Sequence, residues 1–571
     1  MSEESTEKVP FVDQLKSFSG VFWVANWMEV VERFAYYGVR VVLPIFMVLA
    51  LEDGGPELDH VQKGTIYSVW ALVQSYVPIF SGVYADRYGY KANIAVSTVL
   101  KIIGYLIMGY CVHIAVALAG MPLSEARPQG SDHVYGVFFT GAMFLALGTA
   151  IFKPGIQGLI ANQLKSSSSS LGWAVFYQMV NVGGFIGPLL AGYLRVLKWE
   201  YVFIACAVGI ALNFVPLFFF EEPDHGEVSD KGPLGLLVDA VRGLLEPRLF
   251  FFTVAFAGFW LMFYQLFDIL PNFIDDWVDS RAAATALQGL VGESLVPTVN
   301  GGNLTQAWII NFNALLISLF AFAFGYLTGK VRALSAIIIG IFISTVAIYG
   351  LGLSMSGWWI LAMIGLFSFG EMTASPTKHR YLASIAPPGQ QGQYMGYLNM
   401  TVGLGWSIGS IVAGEMYQSG GDKVVLARRY LVEVAGVAAE KVDALGKKAV
   451  LPFFEEQLKV DAWGARELLW NQYHPYGMWK IFAAIGVGAM LLVIIYNQVT
   501  RAANDRPSHS FNTHGQRWVQ IFLVPVVGAW LVACVYALSV AVVIQTVMFT
   551  LLLVASFARS TGQPPPAQKA E

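Results

Sequence analysis

Long apolar runs separated by short polar loops fill most of the chain. A helix needs about 20 apolar residues to cross the hydrocarbon core of a bilayer. The pattern therefore predicts about twelve spans, in two groups of about six, at 20–50, 61–84, 92–118, 134–160, 172–196, 201–220, 250–275, 306–329, 333–355, 358–386, 392–418 and 476–500. The run at 518–558 is about twice one span and predicts a further hairpin, giving about fourteen spans.

This pattern predicts an all-α integral membrane protein with six segments. They are an N-terminal tail (1–19), a first helix bundle (20–220), a linker (221–248), a second bundle (249–500), a hairpin (501–560) and a C-terminal tail (561–571). The charged stretch 419–475 interrupts the second bundle, and its helical periodicity predicts an external amphipathic insertion. Basic residues concentrate in every second loop, which are the loops on the same side of the membrane as the N-terminus. Because basic loops stay in the cytoplasm, this predicts a cytoplasmic N-terminus. The polar N-terminus without a signal-peptide pattern suits a bacterial inner membrane, with a eukaryotic membrane as the alternative.

Composition supports a lipid environment. Only 13% of the 571 residues are charged, against about 25% in soluble domains. The net charge of −3 gives no basic field for nucleic acid. The chain shows no metal-ligand spacing, no phosphate-cradling loop and no nucleophile–base pair. We therefore expect no metal, no cofactor, no ATP and no enzymatic activity.

Span one carries a stripe of charged and aromatic residues inside an apolar run. At about 100° per residue the stripe covers an arc of roughly 140° on one helix face, and its members are Glu29, Glu32, Arg33, Tyr36, Tyr37 and Arg40. Charge within a bilayer is costly, so this face should meet water or partner helices. A salt bridge that only pins helices would explain Glu32 and Arg33. The whole set is more typical of an ion path with a ligand wall.

Two motifs carry a family resemblance. The loop Gly82-Val-Tyr-Ala-Asp86-Arg87-Tyr-Gly89-Tyr-Lys91 resembles the cytoplasmic loop motif of the major facilitator superfamily, in which Asp and Arg latch the two halves. Its weak echo runs from Gly325 to Arg332. The stripe itself matches E-x-x-E-R-F-x-Y-Y-G, the signature of the proton-dependent oligopeptide transporter family. The resemblance implies two six-helix bundles with a substrate site near the membrane midplane, plus the extra hairpin.

Further matches assign expected roles to single residues. Lys153 follows Gly148-Thr149-Ala-Ile-Phe152, and in the family this lysine pairs with the span-one glutamates and assists proton coupling. Asn181 in span five and Asn313 in span eight match asparagines that contact the peptide, and Tyr36, Tyr37 and Tyr177 are expected to hydrogen-bond its middle together with them. Glu371 in span ten matches the glutamate that receives the peptide's amino terminus.

Two segments depart from the family pattern. In span seven Tyr264 stands where the family has a glutamate that acts as proton switch and partner of a span-one arginine. We expect Asp268, one turn further on, to take that role; otherwise it belongs to the outer mouth. In span ten the basic residues of Thr377-Lys378-His379-Arg380 are expected to end the helix in the cytoplasm, or to select substrate charge. His379 and His113 are given structural or surface roles.

The resulting hypothesis is a carrier that reads the two ends of a zwitterion. Cations Arg33, Arg40 and Lys153 from the first half would hold the carboxylate, and Glu371 from the second half would hold the ammonium. A proton would bind Glu29 or Glu32 when the solute competes for their cations. The expected partners are small peptides, protons and lipid. The rivals are a carrier of another zwitterion, anion or peptide-like drug, a drug/proton antiporter, and a non-transporting membrane sensor.

Overall fold

The computed structural model describes residues 11–120, 132–165, 168–222, 233–386, 391–504 and 509–560. Within these ranges the chain is almost entirely helical. The first half holds α1 (Phe11–Lys16), α2 (Gly20–Val48), α3 (His60–Tyr76), α4 (Pro78–Tyr88), α5 (Tyr90–Gly109), α6 (Cys111–Ala119), α7 (Asp132–Gln163), α8 (Ser169–Leu197), α9 (Trp199–Ala211) and α10 (Phe214–Leu217).

The second half contains the remaining elements. They are α11 (Pro233–Leu244), α12 (Pro247–Phe263), α13 (Gln265–Asp268), α14 (Leu270–Trp277), α15 (Arg281–Val291), the antiparallel strands β1 (Thr298–Val299) and β2 (Asn303–Leu304), α16 (Gln306–Gly329), α17 (Ala333–Leu351), α18 (Gly357–Ile385), α19 (Gln391–Gly420), α20 (Lys423–Glu433), α21 (Ala439–Asp443), α22 (Lys447–Leu458), α23 (Ala462–Tyr473), α24 (Gly477–Asn504), α25 (His509–Tyr536) and α26 (Val540–Ser560). Two 3₁₀ turns, Leu51–Asp53 and Glu293–Leu295, complete the list.

Eleven helices in the described ranges are long and apolar enough to cross a membrane. The long helices α2 and α19 and the α3–α4 pair are more polar, and α2 carries the charged stripe of span one. The protein is therefore an integral multi-pass membrane protein, as the apolar pattern predicts. The C-terminal run 518–558 folds as the helical pair α25 and α26, with a break before Val540.

Four predicted spans are interrupted rather than continuous. Span two breaks at Val77, because Pro78 begins α4 and has no N–H to continue the preceding ladder. Span three breaks at Tyr110 between α5 and α6. In span six, α9 ends at Ala211 and α10 begins at Phe214. Span seven divides at Tyr264 and Ile269 into α12, α13 and α14. The last interruption exposes backbone carbonyls beside Asp268.

The two halves meet most closely where α3 crosses α19. A Cβ atom on Gly64 would lie 2.4 Å from the carbonyl oxygen of Ser410, so the backbones approach as only glycine allows. Helices α8 and α16 form a second contact between the halves, with Trp308 and Asn311 donating to carbonyls of α8 at 3.1 and 2.8 Å. We call the end of the bundle that holds the 49–59 loop and α20–α23 the distal end, and the opposite end the proximal end.

Helices α20–α23 cover the distal end. Asp422 caps α20 by accepting hydrogen bonds from Val424 and Val425 N–H at 2.8 and 2.9 Å. Lys447 at the start of α22 donates to the Val48 carbonyl at 2.6 Å and so ties this cover to the end of α2. The stretch that the sequence predicts as a helical insertion is thus folded onto the bundle.

Candidate functional site

A cavity of about 430 Å³ lies between the two halves, and we call it the central cavity. Helices α2, α7 and α8 line it from the first half, and α12–α13, α16 and α18 from the second. Of the residues singled out in the sequence, it brings together Glu29, Arg33, Tyr36, Tyr37, Arg40, Lys153, Tyr177, Asn181, Asn313 and Glu371. Its volume falls in the lower part of the range of about 300–1,000 Å³ for ligand pockets, which suits a small solute.

A buried charge cluster forms one wall. Arg33 forms an ion pair with Glu29, Nε to Oε1 at 3.1 Å, and a second with Glu32. The other carboxylate oxygen of Glu32 pairs with the ammonium of Lys101 on α5. We call Glu29, Glu32, Arg33 and Lys101 the glutamate cluster. Its formal charges sum to zero, which is how four ionised groups can stand away from bulk water.

Lys153 lies apart from this cluster's ion pairs. The family resemblance implies that it pairs with the span-one glutamates, but the structure places Lys101 on Glu32 instead. Lys153 lines the central cavity, and none of its described neighbours forms an ion pair with it within 4 Å. The next residue, Pro154, lies inside α7 and cannot donate to the Ala150 carbonyl, and the Ser81 hydroxyl donates there at 3.1 Å instead.

Arg40 closes the distal side of the central cavity by pairing with Asp268. The Asp268 carboxylate also accepts hydrogen bonds from the Trp406 indole at 3.0 Å and the Ser410 hydroxyl at 2.7 Å. Arg40 and Asp268 are only 3% and 2% exposed. This pair, which we call the distal lock, joins α2 of one half to α13 of the other.

The break in span seven explains why Arg40 fits there. Pro271 has no N–H to donate to the Phe267 carbonyl, so that oxygen accepts from Arg40 Nη1 at 3.2 Å. Lys63 of α3 donates to the Asp268 carbonyl at 3.1 Å and to Asn272 Oδ1 at 2.6 Å. The sequence predicts Asp268 as the arginine's partner, and the structure places it in contact with Arg40.

Glu371 stands on the opposite wall of the cavity. Its Oε2 accepts a hydrogen bond from the Asn313 amide at 2.9 Å, and the same amide donates to the Ser368 hydroxyl at 2.9 Å. Tyr177 is half-exposed on the α8 wall, and Asn181 donates to its carbonyl at 3.1 Å. A carboxylate held by a neutral amide in this way keeps capacity for an ammonium ion.

Aromatic side chains complete the cavity. Tyr36 donates from its hydroxyl to Gln74 Oε1 at 2.9 Å, and Arg33 lies within 5.8 Å of the ring centres of Tyr36 and Tyr37. Tyr264, which stands at the position of the family's glutamate, stacks on Trp406 with ring centres 4.3 Å apart. The tyrosines give the middle of the cavity apolar surface with hydroxyl groups at its edges.

The loop motif of the first half lies at the proximal end. Gly89 has φ +97° and ends α4, and Lys91 N–H donates to Glu222 Oε1 at 3.0 Å. Lys91 also places its ammonium 4.7 Å from the centre of the Phe220 ring. Gly82 faces Pro154, while Arg87 lies 5.8 Å from the Tyr88 ring centre. The side chain of Asp86 lies outside the described part of the structure.

The expectation that the basic residues of span ten end the helix is wrong, whereas a role for them in selecting substrate charge stays a prediction. Helix α18 continues past Arg380 to Ile385, and Lys378 is 5% exposed with its ammonium 4.0 Å above the Trp260 ring. Arg380 donates to the Thr328 and Val331 carbonyls at 2.9 and 2.8 Å, so it caps the end of α16. His379 lines the central cavity. Cation–π contact and capping let these residues remain in a helix.

Sequence reasoning missed several residues of the site. They are Lys63, Gln74, Lys101, Trp406 and Ser410. For Lys63 and Lys101 a signal exists, since a lysine within an apolar run needs a partner. For the others, the sequence holds no signal that separates them from ordinary helix-packing residues.

A comparison with protein families matches residues 27–277 and 279–431 to the family described as Major Facilitator Superfamily. Among curated proteins, the chain is 24% identical over 469 residues to the peptide transporter YePEPT of Yersinia enterocolitica, covering 70% of this chain and 87% of that protein. It is 23% identical over 414 residues to the multidrug resistance protein MdtH of Proteus mirabilis, covering 72% and 89%.

Solved structures of POT peptide transporters share the fold. A peptide transporter POT in complex with sulfate superposes with a TM-score of 0.56 at 18% identity, covering 84% of this chain and 94% of that one. A POT family transporter in complex with 5-aminolevulinic acid gives 0.56 and 18%, covering 76% and 96%. These likenesses confirm the predicted all-α fold of two six-helix bundles.

Proposed function

The chain belongs to the Major Facilitator Superfamily, and we propose that it imports di- and tripeptides together with protons by alternating access. The family and the fold are those of transporters. The observation that carries the proposal is the opposition of charge across the central cavity. Arg33 and Lys153 come from one half of the molecule, and Glu371 comes from the other.

A peptide zwitterion is complementary to this arrangement. Its carboxylate would bind Lys153, which has no ion-pair partner within 4 Å among the described residues, and its ammonium would bind Glu371. Tyr37, Tyr177 and Asn181 would contact the middle of the peptide. Because the two ends are bound by different halves, a bound peptide draws the halves together and so favours the change of access.

The distal lock sets the direction. The contacts that join the halves, including Arg40–Asp268 and Ser68–Ser407, lie on the distal side of the cavity. The cavity continues on the proximal side past Lys153, Gln157 and His379. We take the proximal end as cytoplasmic, so that this conformation is closed outward and releases peptide inward. The proton gradient, rather than a cofactor, would drive the cycle.

A second function has a specific observation in its favour. The multidrug relative from Proteus mirabilis covers as much of the chain as the peptide relative does, and the cavity wall is rich in aromatic rings. A drug/proton antiporter would use such rings for flat apolar cations. The opposite charges of Lys153 and Glu371 on the two walls of the cavity match the two ends of a zwitterion, and they favour peptide import over drug export.

The test uses purified protein in liposomes and labelled dialanine, with acid outside. We expect uptake that unlabelled di- and trialanine inhibit, while alanine, dialanine amide and N-acetyl-dialanine inhibit far less. Uptake that ignores dialanine but responds to aromatic cations would support the antiporter. A protein that binds dialanine without moving it would support the sensor.

A further inference from the structure

The side chain of Lys101 is enclosed within the first helix bundle. The side chain is 0% exposed, and its ammonium lies 4.2 Å from the centre of the Phe152 ring while it pairs with Glu32. A Cβ atom on Gly148 would lie 2.6 Å from Lys101 Cγ, so glycine at that position leaves room for the lysine stem. Gly148 and Phe152 of the span-four motif therefore contact the side chain of Lys101. Lys153 of the same motif lines the cavity.

The two glutamates of the cluster stand in different surroundings. Glu32 is 0% exposed, and each of its oxygens has a cationic partner, Lys101 or Arg33. Glu29 lines the central cavity, and only one of its oxygens forms an ion pair, with Arg33, among the described residues. Of the two glutamates, Glu29 is thus the one that adjoins the cavity.

The neighbouring groups complete the charge balance. The titratable groups that act on the two glutamates are Arg33 and Tyr37 on α2, Lys101 and Tyr105 on α5, and Lys153 on α7. Tyr177 of α8 lines the same cavity but lies toward Glu371 and Tyr37. With Lys101 present, the glutamate cluster is neutral without Lys153. Without Lys101 the cluster would carry an unbalanced negative charge, and Lys153 is the remaining cation outside the cluster whose charge acts on both glutamates.

We propose that Lys101 is a positioning residue that keeps Glu32 ionised and so reserves Lys153 for the solute's anionic end and Glu29 for the proton. This rests on the proposed function, since it divides the coupling roles among the residues of that site. It predicts that Glu29→Gln abolishes uptake driven by a pH gradient while sparing counterflow of labelled against unlabelled dialanine.

The test is a double-mutant cycle of Lys101→Met and Glu32→Gln, with Lys198→Met as control. Lys198 is an exposed lysine that pairs with Glu200 at 3.2 Å. We expect Lys101→Met to weaken counterflow affinity for dialanine at least about tenfold at pH 7, since Lys153 is drawn into the cluster. We expect the double variant to regain most of that affinity. The pH profile of counterflow should shift in Lys101→Met and return to that of the wild type in the double variant.

A thermal unfolding cycle of the same variants in detergent reads the pairing independently of transport. We expect each single variant to lower Tm and the double variant to restore it. If the double variant regains its Tm but the wild-type protein transports no dialanine, the pairing of Lys101 with Glu32 is supported and the proposed function is rejected. Additive loss of Tm, or wild-type counterflow in Lys101→Met, would overturn the role of Lys101.

Discussion

Arg40 of the first half and Asp268 of the second form a buried ion pair on the distal side of the central cavity. Trp406 and Ser410 complete the hydrogen bonding of the carboxylate, and the Phe267 carbonyl occupies a further donor of the guanidinium. A buried pair contributes little net stability when intact, but removing one partner costs about 3–5 kcal/mol. Removing either Arg40 or Asp268 should therefore weaken the contact between the halves more than the intact pair strengthens it.

Asp268→Asn should open the distal side. The substitution leaves Arg40 without its counter-ion, so the closed arrangement loses its advantage. We expect a cysteine placed at Ala314, which lines the cavity, to react at least about tenfold faster with an impermeant maleimide from the distal side. The background replaces Cys111, Cys206 and Cys534 by serine. Asp279→Asn, at the exposed Asp279–Arg281 pair, is the control, and equal labelling in both variants would contradict the lock.

Glu371→Gln should weaken recognition of the peptide's amino end. The amide still accepts from Asn313 but carries no charge for an ammonium ion. Charge-assisted hydrogen bonds contribute about 1.5–3 kcal/mol, so the KM for dialanine should rise about 10- to 100-fold. N-acetyl-dialanine has no ammonium, and its weak inhibition should be unchanged. An equal loss for both compounds would show that Glu371 acts on the fold instead.

Lys153→Gln should weaken recognition of the opposite end. Its ammonium faces the cavity, so its loss removes the attraction for the peptide carboxylate. We expect a rise in the KM for dialanine of about 10-fold or more. Dialanine amide should bind the variant and the wild type alike. A variant that loses both compounds would contradict the assignment of Lys153 to the carboxylate.

Gln545→Leu should loosen the C-terminal hairpin. Gln545 is fully buried and donates to the Ser407 and Ser68 hydroxyls at 2.6 and 3.0 Å, while Trp530 donates to its oxygen at 2.7 Å. Leucine would leave these groups unpaired at a cost of about 1–3 kcal/mol. We expect a lower Tm in detergent than for the wild type. Gln520→Leu, whose amide donates to Ser556 within the same hairpin at 3.2 Å, should have the smaller effect.

Asp422 should make the distal cover sensitive to acid. Burial opposes its ionisation, but the hydrogen bond from His60, the Lys447 ammonium and the Val425 N–H together hold the pKa of Asp422 below its usual range. A carboxyl with a depressed folded pKa stabilises the fold above its unfolded pKa, about 3.9, and loses that contribution as pH falls further. The Tm difference between wild type and Asp422→Asn should be constant above about pH 5 and shrink below about pH 4. A difference that grows with acidification would contradict this sign.

Much of the site could be predicted from the sequence because charge in an apolar run is conspicuous. The α2 stripe, Lys153, Asp268 and Glu371 each break a hydrophobic segment, and all of them except the buried Glu32 lie at the cavity or in the distal lock. What could not be predicted depends on neighbours from distant segments. Lys101 meets Glu32 only because α5 and α2 both pack on α7 and α9.

Helix ends and breaks were harder to predict for a related reason. Three basic residues in a row usually mark a helix leaving the membrane. Here Lys378 contacts the Trp260 ring, and Arg380 donates to a backbone carbonyl at the end of α16. Because both cations have partners, α18 continues past them. Pro271 is a local signal for the break in span seven, but the contacts of Arg40 and Lys63 with the freed carbonyls come from distant segments and could not be predicted.

The most direct measurement is proton movement caused by peptide alone. Dialanine is added outside liposomes that contain the purified protein and an internal pH-sensitive dye, with no initial pH gradient. The account predicts internal acidification that saturates with dialanine and disappears in Glu29→Gln. Peptide entry with no change in internal pH, or acidification that survives in Glu29→Gln, would contradict it.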